Sequence, residues 1–154
     1  MIKVRTCRMK KNFAKIASAA YDLLKLEGEA VVDVDFCSRE EIKELNARTR
    51  GTDRETDVLS YPFLSDAKPP FDEAHYPGDY DAKAGAVMLG CVAICDEYIK
   101  QAAAEDNTVY ISDVYRAFAH AVLHLMGYDH VTDEQYEQMH AMENKILQKA
   151  GIIR

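Results

Sequence analysis

The sequence predicts an α+β fold, a small mixed four-stranded sheet with about five helices, as a single domain over residues 1–154. Two observations lead there. Stretches that alternate apolar and polar residues are interspersed with stretches whose apolar residues recur at helical spacing. The third and fourth strand-like stretches are joined by a proline-rich segment without a helix, so simple right-handed crossovers cannot link all four strands. At least one antiparallel pair follows, with the C-terminal helices covering one face of the sheet.

Each element has its own signal. Ile2 to Cys7 reads as a short strand. From Asn12, the residues Phe13, Ile16, Ala17, Ala20, Leu23 and Leu24 make a helical stripe, with Gly28 as its stop. Ala30 to Phe36 places Val32, Val34 and Phe36 on one face and Asp33 and Asp35 on the other, a half-buried strand. Ser38 and Glu41 form a capping box for a helix reaching about Arg48, with Ile42 and Leu45 inward. Thr56 to Tyr61 is a third strand closed by Pro62, and Leu64 to Lys83, with three of the four prolines, a long mobile loop. Ala86 to Ile94 is apolar on both faces, as a central strand is. Helices follow over Asp96 to Glu105 and about Thr108 to Met126, the second ended by Gly127. Thr132 and Gln135 cap a last helix that buries Tyr136, Met139, Ile146 and Leu147.

Composition narrows the function classes. Hydrophobic residues make up 48% of the chain, enough for a core and too many for a disordered protein. The longest apolar-rich run, Ala84 to Cys95, falls well short of the ~20 residues that span a membrane. A formal charge of −7 disfavours a basic coat for duplex DNA. No apolar signal core follows Met1, and Cys7, Cys37, Cys91 and Cys95 form no CxxC pair, so the cysteines read as reduced and buried. Cys91 and Cys95 share one strand face in this reading. The expectation is a soluble, cytoplasmic protein that meets neither membrane nor DNA.

The chemistry concentrates in His120-Ala-Val-Leu-His124-Leu-Met-Gly127-Tyr-Asp-His130. His120 and His124, four apart on a helix, stand one turn apart on the same face. That spacing lets two ring nitrogens reach one ion at ~2.0–2.1 Å. Gly127 ends the helix in the left-handed conformation and returns His130 towards the same point. Three neutral nitrogens with a fourth position left for water describe the catalytic kind of zinc site, a zincin-like helix and turn. The metzincin proteases share this spacing but carry a glutamate after the first histidine as general base. Here that residue is Ala121, which accepts no proton, so an ordinary zinc peptidase is disfavoured. His75 and His140 read as surface residues.

HAVLHLMGYDH resembles the HGxLHLxGYDH signature of the bacterial YbeY family of endoribonucleases and rRNA maturation factors. A second segment agrees: Leu45-Asn46, Arg50-Gly51-Thr52-Asp53 and Thr56-Asp57-Val58-Leu59-Ser60-Tyr61-Pro62-Phe63 are similar to the family's LN…RG.D..T.VLSFPF run. Ala121 replaces the usual Gly, Tyr61 stands where Phe is common, and Leu89-Gly90-Cys91 where Leu-Gly-Asp is frequent. The resemblance implies that His120, His124 and His130 bind one zinc ion per chain and that Arg50 is the functional arginine of the cleft. It implies metal-dependent cleavage of single-stranded RNA, in maturation of the small-subunit (16S) rRNA 3′ end and in ribosome quality control. It also implies the ribosomal small subunit and its assembly factors as partners.

The residues suit that chemistry. Arg50 offers a planar, always-charged fork that matches phosphate, and a histidine-bound zinc offers Lewis acidity and an acidified water. Arg48, Arg50 and Arg54 lie within seven residues and fit two readings, a local positive patch with the metal despite the net charge, or a solvated charge run interrupted by Asp53 and Glu55. Asp129 reads as a cap on the turn or a support for a histidine, and Tyr128 as packing or a substrate contact. Two other readings fit the same residues: a different metal-dependent hydrolase, or a non-catalytic assembly factor whose zinc, with a fourth ligand such as Cys91, only holds the helices together.

Overall fold

The computed structural model describes residues 1–154. In chain order it runs β1 (Ile2–Arg5), α1 (Lys10–Leu23), β2 (Ala30–Phe36), α2 (Arg39–Arg50), β3 (Val58–Pro62), β4 (Tyr80–Asp81), β5 (Ala86–Ile94), α3 (Asp96–Asp106), α4 (Tyr110–Leu125) and α5 (Asp133–Lys149). The capping boxes read from Ser38/Glu41 and Thr132/Gln135 are both formed, which fixes where α2 and α5 begin.

The sheet is mixed, in the order β1-β2-β5-β3. β1, β2 and β5 are parallel, while β3 and β4 run antiparallel to β5. Because β2 occupies the other side of β5, β3 and β4 lie end to end along one edge. β4 is the fifth strand, one more than expected. At two residues it is too short to show alternation, and it owes its place to pairing with Ala86 and Val87. Arg5 joins it to the first strands, with a bidentate contact to Asp33 at 2.6 and 3.1 Å and another to Asp81 at 2.7 Å.

One face of the sheet carries the main core, where Phe13 of α1 meets Phe118 of α4 at 4.4 Å between ring centroids and α5 adds Met139, Ile146 and Leu147. Each such side chain, fully buried, contributes about 1.5–3 kcal/mol. The opposite face is covered in part by α2, through Ile42 against Leu59, Ala93 and Cys95. A bulge in β5 explains why its two faces look equally apolar: pairing steps from Val31–Met88 to Val32–Gly90, so Leu89 is an extra residue. Before it, odd-numbered Val87 and Leu89 face the main core; after it, even-numbered Val92 and Ile94 do. Gly90 is required there, since a Cβ would lie 2.2 Å from the Tyr61 carbonyl oxygen and 2.7 Å from Leu125.

Several local expectations are corrected. Leu24, not Gly28, caps α1; Gly28 instead forms a bridge to Phe71. Within the 64–83 segment Phe71 is fully buried and exchanges backbone hydrogen bonds with Glu27 and Glu29 at 2.8 and 2.9 Å, an anchor that the loop reading did not include. All four cysteines are free, but Cys7 is exposed, and Cys95 is the N-cap of α3 rather than a strand residue. Tyr136 is 59% exposed, because the first six residues of α5 run clear of the core that its later turns bury.

Candidate metal centre and its cleft

Helix α4 owes its position to an apolar face, Val114, Phe118, Ala121, Val122 and Leu125, all buried. Its other face carries His120 and His124. At its end Gly127, with φ of 93°, donates to the His124 carbonyl at 3.0 Å, and Tyr128 donates to the Leu123 carbonyl at 3.0 Å. The chain turns back, the Asp129 carboxylate accepts from the His130 backbone N–H at 2.8 Å, and His130 arrives beside the pair. One nitrogen from each of the three imidazoles lies within 4.8 Å of the others, so the group could hold a metal ion.

Hydrogen bonds settle how two of the rings face. His120 Nδ1 lies 2.9 Å from Glu143 Oε2, and His124 Nδ1 lies 2.9 Å from the Tyr128 carbonyl oxygen. A carboxylate and a carbonyl only accept, so both Nδ1 atoms donate. In the neutral rings both Nε2 atoms then present lone pairs, and these face each other at 3.0 Å. That contact is repulsive unless a proton or a metal ion sits between them. Two nitrogens bound tetrahedrally at ~2.0–2.1 Å stand about 3.3 Å apart. Imidazole nitrogens suit zinc and its first-row neighbours, so the donor set fits such an ion. Burial pushes the His124 imidazole below its ordinary pKa, and the facing His120 adds to the push, against the Tyr128 carbonyl. The ligand form is thereby favoured.

Glu143 of α5 supports the centre from behind. It is 6% exposed, and besides His120 it faces Arg116 at 3.6 Å. Sequence reasoning missed it because its partners lie 23 and 27 residues away. A signal was present: Met139, Glu143 and Ile146–Leu147 share one stripe, and a carboxylate on an otherwise apolar stripe needs a partner.

Arg50, the last residue of α2, lies in the same cleft as the histidines. Its guanidinium donates to the Ser60 carbonyl and sits 5.4 Å from the centre of the Tyr61 ring. A cavity of about 550 Å³ is lined by Arg50, Ser60, Arg116 and Glu143 together with the three histidines. A second, of similar size, shares Arg50, Ser60, His124 and His130 and continues beneath Leu64–Ala67. The two make one groove past the histidines. Arg48 and Arg54 line neither cavity; the cations there are Arg50 and Arg116, and Asp57, Asp106, Asp113 and Glu143 line the first cavity with them, so the arginine run does not form the expected positive patch. Tyr128 lines the second cavity and packs against the core. Cys91 lines neither cavity, and the ligand group consists of three histidines. His75 is exposed in the 64–83 segment beside Asp72, and His140 is exposed on α5, its ring parallel to that of Tyr136.

Over residues 1–151 the sequence matches the family described as Endoribonuclease YbeY. The chain belongs to the YbeY family. Relatives named Endoribonuclease YbeY include those of Caldanaerobacter subterraneus, 36% identical over 135 residues (84% of this chain, 82% of the relative), and Clostridioides difficile, 35% identical over 144 residues (91% and 86%). The relative from Lachnospira eligens is 32% identical over 146 residues, 90% of this chain and 86% of its own. The solution structure of TM1509 from Thermotoga maritima aligns with a TM-score of 0.56 at 26% identity, covering 97% of this chain and 91% of that one. The α+β expectation and the family resemblance are borne out. No helix of this YbeY-family chain is long and apolar enough to cross a membrane.

Proposed function

We propose that this chain is a zinc-dependent endoribonuclease that cuts single-stranded RNA, with His120, His124 and His130 holding the ion and Arg50 engaging the phosphate. The observation that carries the reading is the convergence of three histidines and an arginine on one groove in a chain of the YbeY family. When bound, zinc supplies Lewis acidity and relief of charge on the phosphodiester. The chain's own residues do the rest. Glu143 and the Tyr128 carbonyl hold two rings in the tautomer that directs Nε2 into the cleft. Arg50 is pinned on one side by the Ser60 carbonyl and beside the Tyr61 ring, so its remaining N–H groups are oriented before substrate arrives. Position 121 carries no proton acceptor, which argues against the glutamate-based peptidase mechanism.

The cellular role that goes with this reading is maturation of the 16S rRNA 3′ end and ribosome quality control in the cytoplasm, with the small subunit and its assembly factors supplying targeting. A net charge of −7 supports that division of labour, since binding to naked RNA then rests on a few local cations and is weak and salt-sensitive. The test is cleavage of a single-stranded RNA oligonucleotide by zinc-loaded wild type, with His124→Ala and Arg50→Ala purified in parallel. Wild type cuts and both folded variants fail. Equal cutting by all three, or by none, would overturn the nuclease reading and favour a non-catalytic assembly factor.

A further inference from the structure

Strand β3 forms the cleft-side edge of the sheet, and its outward hydrogen-bonding groups can be accounted for one by one. Cys95 donates to the Asp57 carbonyl at 2.8 Å and Phe63 donates to the Leu89 carbonyl at 2.9 Å. Antiparallel alternation then turns residues 57, 59, 61 and 63 towards β5 and residues 58, 60 and 62 outward. The outward N–H of Val58 is taken by the Asp57 carboxylate at 2.8 Å. The outward carbonyl of Ser60 is taken by Arg50. Residue 62 is proline and has no N–H. The Ser60 N–H is therefore the one outward donor of β3 left unengaged. It belongs to a residue shared by both cavities, beside Arg50, His124 and His130.

We propose that the Ser60 backbone N–H is a substrate-binding donor that, with the Arg50 guanidinium, grips one phosphate of the RNA strand; this rests on the nuclease reading above. The two donors are complementary. Arg50 accepts no hydrogen bond and is anchored through the carbonyl of the same residue, so fixing Ser60 fixes both. A lone backbone N–H beside a guanidinium suits a phosphate oxygen. The same edge serves an extended peptide poorly, because β-augmentation needs a repeating ladder of free N–H and carbonyl groups. Here Asp57, Arg50 and Pro62 have removed most of that ladder.

Amide spectra of the zinc-loaded wild type, titrated with inorganic phosphate and then with a short 2′-O-methyl RNA, read the contact directly. The Ser60 amide is expected to move with both ligands. If it stays still while other amides of the groove shift, the assignment is overturned. Turnover adds a second reading. Ser60→Pro removes the N–H without costing a ladder bond and is expected to lose about 100-fold in kcat/KM, as loss of an oxyanion donor does elsewhere. Ser60→Ala, which keeps the N–H, is the comparison, and the loss in Ser60→Pro is expected to exceed any loss in it by at least about tenfold. A folded, zinc-binding Ser60→Pro that cuts like wild type also overturns the proposal. A wild type that cuts no RNA removes the nuclease reading instead, and the phosphate titration still decides whether Ser60 binds an anion.

Discussion

Replacing Glu143 with glutamine or alanine separates the candidate metal ligands from the residue that orients one of them, His120. The bond from His120 Nδ1 is 2.9 Å long, and the Glu143 side chain is only 7% exposed, so water screens it little. Charge-assisted hydrogen bonds of this kind contribute about 1.5–3 kcal/mol. The Arg116 contact, at 3.6 Å and with that side chain 35% exposed, adds less. Glutamine keeps the acceptor and loses the charge; alanine loses both. Zinc affinity should therefore fall by roughly tenfold in Glu143→Gln and by up to about 100-fold in Glu143→Ala, which corresponds to about 1.4 to 2.7 kcal/mol. Competition against a chelator measures the affinity, with circular dichroism confirming that the helices persist. Two folded variants binding zinc as tightly as wild type would refute the claim that Glu143 orients His120.

Other expectations follow from the same contacts. Zinc at 100 times its Kd should stabilise wild type by about 2.7 kcal/mol and leave His124→Ala unmoved, read as a shift in Tm. Burial works to raise the Asp96 carboxyl, but the Tyr110 hydroxyl and Arg8 outweigh it, so its pKa sits below the ordinary value of about 3.9. Its stabilisation is complete above about pH 5 and is lost as pH falls through the depressed value, so Asp96→Asn should flatten the acid limb of urea midpoint against pH. Gly90→Ala forces a methyl against the Tyr61 carbonyl and should cost at least ~2 kcal/mol in urea unfolding. Phe71→Ala should cost about 3–5 kcal/mol and expose the 64–83 segment to proteolysis, since Phe71 anchors it.

Much of this molecule is local and hence readable along the chain. His120 and His124 are neighbours because a helix repeats every 3.6 residues, and Gly127 turns His130 towards them within three residues, so the centre needed no knowledge of the rest of the fold. The capping boxes at Ser38 and Thr132 and the strand from Ala30 to Phe36 depend in the same way on adjacent residues. Tyr136 went the other way: its spacing matched the stripe of α5, but the core does not reach that far along the helix.

What tertiary structure decided is which distant groups meet. Glu143 finds His120 because α5 packs along α4, and a two-residue β4 exists only because β5 offers it an edge. Arg50 and Ser60 meet because β3 is the edge strand, a matter of sheet order that the residues of β3 do not encode by themselves. Helical periodicity, caps and turns act over a few residues and are written in the sequence by itself. Strand order, and with it the free Ser60 donor of β3 beside the three histidines, is set by long-range packing and appears only once the chain has folded.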